Sequence, residues 1–526
     1  MIAQHYDLPF VNLKEETINK KALFSIPEKI ATVHRIIAFD KNKKKIKIAT
    51  TKPEELEIFD FIKKKTGLKP EIYITTPENI DENLKKYHKQ LKEDLTTKDS
   101  EAPQEEGEIK STKKELENKA GEMSTIKLVD KILEHAIYQE ASDIHIEPEE
   151  KKIMVRYRID GILHDVMTLP QSLENGIVAR VKILANLKID EHRLPQDGRF
   201  KIYNKRYKIS FRVSIIPTFH GEKIVMRLLN EGARIMSLEE LGLQEKSLDK
   251  VKRNINKPHG EILVTGPTGS GKTTTLYTIL NLLNTPEVNI STVEDPVEYN
   301  MERVNQSQVN PKIGFTFAKG LRAFLRQDPD IIMVGEIRDE ETAEIATHAA
   351  MTGHLVLSTL HTNDTISTIF RINNMGVPLY LVSSTINLII AQGLVRKICF
   401  NCIQSYSITK KMAKELKKQF DVDQIIETMQ NEGVISEDQD KLEDLLFYQG
   451  KGCEKCNNTG YKGRVGVYEV LEITEEMSNL ILQQASQEKM TEQARKDGLI
   501  TLTEDGFMKA RNGITTIDEI MRVTQR

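Results

Sequence analysis

The residues Gly266-Pro267-Thr268-Gly269-Ser270-Gly271-Lys272-Thr273 fit a phosphate-loop pattern in full. Glycines at these positions let backbone amides converge on a β-phosphate, the lysine reaches the β and γ oxygens, and the Thr273 hydroxyl is offered to Mg²⁺. Thr268, Ser270 and Thr274 join them in the expected nucleotide-binding set. A glycine-rich turn that happens to precede a helix is the plain alternative. The flanks argue against it, since EILVT before the loop reads as a buried strand and Thr273 to Leu283 as a helix. By itself the loop implies a nucleotide and no more.

Three further strands end on residues that could act on that nucleotide. ISTVEDPVEY closes on Glu294, Asp295 and Glu298, with Pro296 ending the strand; DIIMVGEIRD carries Glu336 past an apolar run; HLVLSTLHTND ends on His361. Ligands of open α/β sheets bind at the carboxyl ends of strands. An acidic strand end is otherwise a solvated turn or a helix cap, and a lone histidine is usually structural, as expected of His354. The phosphate loop in the same sheet turns Glu294, Asp295, Glu298 and His361 toward function. Glu336 stands where a phosphate-loop ATPase keeps the acid that orients Mg²⁺ and the attacking water. Gly335 takes a place that many such enzymes give to aspartate, so Glu336 is expected to act through water on both metal and nucleophile. His361 is expected to sense the γ-phosphate through one ring nitrogen.

The four cysteines fall as Cys399-Phe-Asn-Cys402 and Cys453-Glu-Lys-Cys456. Two such knuckles supply four thiolates for a tetrahedral Zn²⁺ with no open position, a structural site. Disulfides are the weaker reading for a cytosolic chain, and a metal-free hairpin pair or a redox role stay open.

The elements that must hold these residues divide the chain. EILVTG, NISTVED, DIIMVGE and HLVLSTL alternate with helices, the pattern of a doubly wound parallel sheet. Ahead of it, IKLVDKILEHAIYQ reads as a helix and Ser142 to Leu229 as strand-rich, with IMVRYRI, YKISFRVSII and KIVMRLL. Residues 92–123 are charged and poor in apolar side chains, a linker. Before the linker, RIIAF and IKIAT read as a hairpin in a small α+β module. The expected boundaries are 1–91, 92–123, 124–232 and 233–526, the last including a zinc-binding part at 396–470 and a helical part at 471–526.

At 526 residues about three or four domains are expected, and 39% apolar content suffices to give each a core. A net charge of −3 offers no global field for nucleic acid or an anionic membrane. MIAQHYDLPF does not read as a secretory signal, and the longest near-apolar segment, Leu379 to Val395, is interrupted by polar residues and too short to span a bilayer. A cytoplasmic place is expected, with membrane contact only through partners.

ASDIHIEP (141–148), HRLPQDGR (192–199), RVSIIPTFHGEKIVMRLL (212–229), GPTGSGKTTTLY, TVEDPVEY, LRQDPDIIMVGEIRD, GHLVLSTLHTND and GCEKCNNTGYKGRVGVYEVL together resemble the secretion ATPases, closest to the motors of type II secretion and type IV pilus assembly. The resemblance runs from Ile126 to Arg526. It implies a RecA-like core behind two small α+β domains, the second PAS-like. It also implies a homo-hexamer using ATP and Mg²⁺ to turn a membrane platform protein at the cytoplasmic face of the inner membrane. Lys272 and Thr273 become phosphate-loop contacts; Glu294, Asp295 and Glu298 the acidic box; Glu336 the catalytic glutamate; and His361 the histidine box. Arg199 and Arg212, from the second module, are expected at the γ-phosphate, while Arg227 stays open between that role and a solvent-facing strand arginine. The family usually carries arginine where this chain has Gly393. The cysteine knuckles and the amino-terminal extension favour assembly or secretion over retraction. LPFVNL and IPEKIATVHR look like the second half of the family's partner-binding first domain, so a cyclic dinucleotide ligand is not expected. A nucleic-acid translocase and a scaffold that binds ATP without turnover are the alternatives; balanced charge opposes the first and an intact Lys272–Glu336 set the second.

Overall fold

The computed structural model describes residues 125–203, 208–230 and 234–524 continuously. Nearer the amino terminus it describes 8–13, 18–23, 25–26, 31, 35–42, 45–51, 53, 58–59, 62, 68–77, 79–80 and 83. The expected linker at 92–123 lies outside the described residues. The chain divides into two units, residues 1–110 and 111–526.

In the first unit the expected hairpin forms. β1 (Ile36–Lys41) pairs antiparallel with β2 (Lys45–Thr50), and β3 (Lys69–Ile74) adds in parallel to β2. Ile36, Ile37, Ile46 and Ile48 are buried with Leu13 and Ile26 in one core.

The second unit holds two large sheets. The smaller runs in the order β6-β5-β4-β9-β8-β7. Its strands are β4 (Asp143–Pro148), β5 (Lys152–Ile159), β6 (Ile162–Pro170), β7 (Gln196–Tyr203), β8 (Lys208–Thr218) and β9 (Gly221–Asn230), each antiparallel to its neighbours. Helices α1 (Thr125–Tyr138) and α2 (Glu174–Leu184) share a core with one face, where Ile144, Val155, Tyr157, Phe211, Val213 and Met226 point. Side chains of a strand alternate between faces, so the other face carries the polar partners of that alternation. Register sets Arg199 opposite Arg212, Arg212 opposite Arg227, Arg227 opposite Asp143 and Asp143 opposite Arg158. The result is one charged row across five strands.

The larger sheet runs β12-β11-β13-β14-β10-β15-β18. β10 (Gly260–Thr265), β11 (Ile290–Glu294), β12 (Val304–Gln308), β13 (Ile331–Val334), β14 (Leu355–Leu360) and β15 (Ile386–Ile398) are parallel, and β18 (Tyr461–Glu472) closes the edge antiparallel to β15. Leu263 faces one buried cluster, and Ile262 and Val264 face another. Burial on both faces is why β10, β13 and β14 read as largely apolar runs, whereas the edge strand β12 is polar and partly exposed. The interrupted apolar segment from Leu379 becomes a short helix, Leu379–Thr385, running straight into β15. No helix among the described residues is long and apolar enough to cross a membrane.

β15 and β18 extend past the sheet to the two cysteine knuckles. Between the knuckles β16 (Ile403–Ser407) pairs antiparallel with β17 (Leu446–Gly450), and the helices Lys410–Gln419 and Val422–Asn431 lie in the stretch that connects them. Their core takes in Phe507, Met508, Ile517 and Ile520 from the carboxy-terminal helices Leu502–Arg511 and Ile517–Thr524. Val523 of the last helix lies where a Cβ on Gly393 would stand, 2.5 Å from it, so a larger residue at 393 would displace that helix.

Candidate active site

The loop between β10 and α3 (Lys272–Leu283) carries positive φ at Gly266, Gly269 and Gly271. A Cβ on Gly266 would meet the Gln392 carbonyl at 2.4 Å, and one on Gly271 would meet the Gln392 side chain at 2.9 Å. β15 therefore backs the loop closely, and the Thr275 hydroxyl ties α3 to the same strand by donating to Gln392 at 2.8 Å. Lys272 Nζ donates to the carbonyls of Gly266 at 2.8 Å and Pro267 at 3.2 Å. Desolvation brings its pKa down to about 8, against the opposing pull of Glu336.

The acidic box divides in two. Glu294 is buried, and its carboxylate accepts from Tyr277, from Thr292 at 2.6 Å and from Gln306 at 3.1 Å. Tyr277 Oη also accepts from the Glu298 amide at 3.3 Å, so Glu294 steadies the segment bearing Glu298 through α3. Asp295 is exposed. Glu298 faces the six-stranded module, where Arg212 lies 2.9 Å from its carboxylate and donates to the Val297 carbonyl at 2.9 Å. Arg227 pairs instead with Asp143 at 3.0 Å, and exposed Arg199 has no ion-pair partner among the described residues.

Glu336 follows β13 and is mostly buried, with Arg338 on one oxygen and His361 Nε2 3.3 Å from the other. His361 Nδ1 lies 3.5 Å from Lys272 Nζ. Arg338, Glu336, His361 and Lys272 thus form one line across the ends of β13, β14 and β10. A Cβ on Gly335 would meet the Glu294 Cα and the Val293 carbonyl at 3.3 Å each, a tight approach of β11 that explains glycine there. His354 is set apart, its Nδ1 2.9 Å from the Ala349 carbonyl at a helix end.

The four cysteine sulfurs lie within 4.8 Å of one another, with separations of 3.7 Å (Cys453–Cys456), 3.8 Å (Cys399–Cys453) and 3.9 Å (Cys402–Cys456). A tetrahedron with metal–sulfur bonds of about 2.3 Å has edges of about 3.8 Å, so the donor set fits zinc. Burial raises the Cys456 thiol pKa, but the amides of Cys453 and Gly460 and the neighbouring thiols outweigh it and bring the group below its ordinary value, while burial and the same neighbours hold Cys402 above its own, so the four sulfurs share their protons as one cluster.

Residues 118–522 match the family model described as type II/IV secretion system protein, and residues 6–94 match the MshEN domain. The chain belongs to the type II/IV secretion system protein family. The type IV pilus assembly ATPase PilB of Pseudomonas aeruginosa is 42% identical over 505 residues, covering 95% of this chain and 86% of that protein. The type II secretion system ATPase E of Vibrio cholerae is 45% identical over 400 residues, covering 76% of this chain and 75% of that one. Among solved structures, the pilus retraction motor PilT with bound ADP superposes with a TM-score of 0.50 at 27% identity, over 75% of this chain and 96% of that one. The Legionella pneumophila ATPase DotB gives 0.53 at 23% identity, over 75% and 95%, a likeness of fold.

In this family ATPase, several residues around the site escape motif reading. Arg338 sits two residues past Glu336, while Tyr277 and Gln306 meet Glu294 only through the fold. The one signal in the sequence is a tyrosine and threonines inside the apolar stretch of α3, polar groups that burial obliges to find partners.

Proposed function

We propose that the protein is an ATP-driven motor, a homo-hexamer working at the cytoplasmic face of the inner membrane through a platform protein, in type IV pilus assembly or type II secretion. The observation that carries this reading is Arg212. A loop that only holds nucleotide needs no arginine from another module, yet Arg212 reaches the acidic strand end beside the phosphate loop at 2.9 Å. Arg199 stands opposite it on β7; Arg212 would exchange Glu298 for the charge developing on a γ-phosphate, Arg199 would join it there, and closing the module over ATP becomes the power stroke. Lys272, Thr273 and the loop amides would hold ATP and Mg²⁺. Glu336, fixed between Arg338 and His361, would orient the attacking water, and Glu298 is freed when Arg212 moves. Zn²⁺ on Cys399, Cys402, Cys453 and Cys456 would be structural.

Pilus assembly is favoured by how far the likeness extends. The pilus assembly ATPases of Pseudomonas aeruginosa and Myxococcus xanthus align over 95% and 99% of this chain, the type II secretion relatives of Vibrio cholerae and Xanthomonas campestris over 76% and 89%. The test is Glu336→Gln, expected to bind ATP with parent affinity and to lose turnover about a hundredfold or more. Placed in the native strain it should abolish surface pili; intact pili with lost secretion would select the other machine. Parent turnover in Glu336→Gln would move the water-orienting role to Glu298, and ATPase stimulation by DNA would favour a translocase.

A further inference from the structure

We infer that the buried pair Lys182–Glu222 is a positioning device for Arg199. The inference rests on the reading of Arg199 as a γ-phosphate contact. Lys182 is fully buried at the end of α2 and Glu222 nearly so at the start of β9, and their charged atoms lie 2.8 Å apart. Taking two charges out of water costs much of what their attraction returns, and replacing such a pair by apolar residues is often neutral or stabilising. Stability alone is therefore a poor account of its place here.

What the pair holds is the segment that leads to Arg199. Lys182 Nζ donates to the Glu191 carbonyl at 2.6 Å, and the Glu222 carboxylate receives His192 Nδ1 at 2.6 Å. Glu222 is fixed in turn, its amide donating to Glu174 on α2 at 3.0 Å. Gln196 then closes the loop on itself, donating to the carbonyls of Lys188 at 3.0 Å and Glu191 at 3.1 Å and accepting from the Lys188 amide at 2.9 Å. A Cβ on Gly198 would lie 2.6 Å from the Ala185 carbonyl, so the chain enters β7 pressed against the end of α2. Arg199 is the next residue and has no ion-pair partner among the described residues. Its placement comes from this anchor and from its register opposite Arg212.

The segment that leads into β7 is thus tied at Glu191 and His192 to a charge pair within the module, and loosening the pair shifts the start of β7, and the Arg199 guanidinium with it, without touching the phosphate loop. A misplacement of about 1 Å can cost about a hundredfold in rate. The experiment compares Lys182→Met/Glu222→Leu, Arg199→Ala and the triple variant in the full chain, reading thermal midpoint, Kd for a fluorescent ATP analogue and kcat at saturating Mg-ATP. The double variant is expected to keep its midpoint and to keep Kd within about threefold while kcat falls about tenfold to a hundredfold. The triple variant should turn over no more slowly than Arg199→Ala, because both act through one group. Parent kcat in the double variant while Arg199→Ala is slow would overturn the anchor alone. Parent kcat in Arg199→Ala would overturn the arginine reading and the anchor with it. Should the double variant fail to fold, His192→Ala, whose ring is 60% exposed, carries the same comparison: a fall of about threefold or more at unchanged Kd is expected, and parent kcat would overturn the anchor.

Discussion

Lys272 is a buried cation whose proton is loosely held. Its pKa, brought to about 8 by desolvation, lies below the 10.5 of an exposed lysine. Between those two values the unfolded chain binds more protons than the folded one, so this group lets folding stability rise with pH across that window. The consequence for the nucleotide has the opposite sense. Phosphate oxygens call for the charged form, which the free chain keeps below pH about 8 and loses above it. Above that pH, binding must take up a proton, so the Kd for Mg-ATP should rise by up to about tenfold per pH unit, and below it should be flat. Titration with a fluorescent ATP analogue from about pH 7 to 9.5 reads this directly; a Kd constant over the range would mean that Lys272 is fully charged throughout. The Glu294 carboxylate illustrates a different residue-level division of labour, since its three donors set it to steady Tyr277 and, through Tyr277, the Glu298 segment.

At the scale of elements, β10 carries an anomaly. Glu261 is 1% exposed, neither carboxylate oxygen has a hydrogen-bond partner among the described residues, and burial pushes its pKa up to about 8. Here the folded state keeps a proton that the unfolded chain releases above about 4.5, so the contribution to stability falls as pH rises from there to about 8 and is constant beyond. At pH 7 the deficit is on the order of 3 kcal/mol. Glu261→Met should therefore raise the thermal midpoint by about 5 to 10 °C at pH 7, with the gain shrinking toward pH 4.5; equal midpoints at pH 7 would contradict the assignment.

The elements also differ in how far the sequence discloses them. β10, β11, β13 and β14 are short apolar runs with the loop and acids at their ends, so the sheet and most of the candidate site are legible. The helix Leu379–Thr385 and β15 merge into one apolar segment, because both are buried and neither leaves a periodic polar face. α2 hides in a strand-rich region, its pattern blurred by Gly176 and the buried Lys182. The arginine row depends on pairing register, and Tyr277 with Glu294 on adjacency across the sheet; neither is written in local spacing.

At the scale of the whole molecule, β15 joins the nucleotide loop to the cysteine cluster. Gln392 touches the loop, and Cys399 follows seven residues on, about 23 Å along an extended strand. That distance predicts separable behaviour. Elemental analysis should find about one zinc per chain, and Cys453→Ser should lose the metal and lower thermal stability, since structural zinc contributes to folding directly, while the Kd for ATP stays within about threefold. Metal-free protein with reduced thiols and parent stability would contradict the zinc assignment. The other joint of the molecule lies where the six-stranded module meets the acidic strand end. Its part in hydrolysis is read from kcat of Arg212→Ala at saturating Mg-ATP, with Kd measured in parallel. An arginine completing a phosphoryl-transfer site is worth roughly 10³ to 10⁵ in turnover, whereas an exposed ion pair is worth about 0 to 1 kcal/mol. A fall in kcat of about a hundredfold or more with Kd within about tenfold is expected; near-parent kcat would mean that Arg212 only pairs with Glu298 and takes no part in hydrolysis.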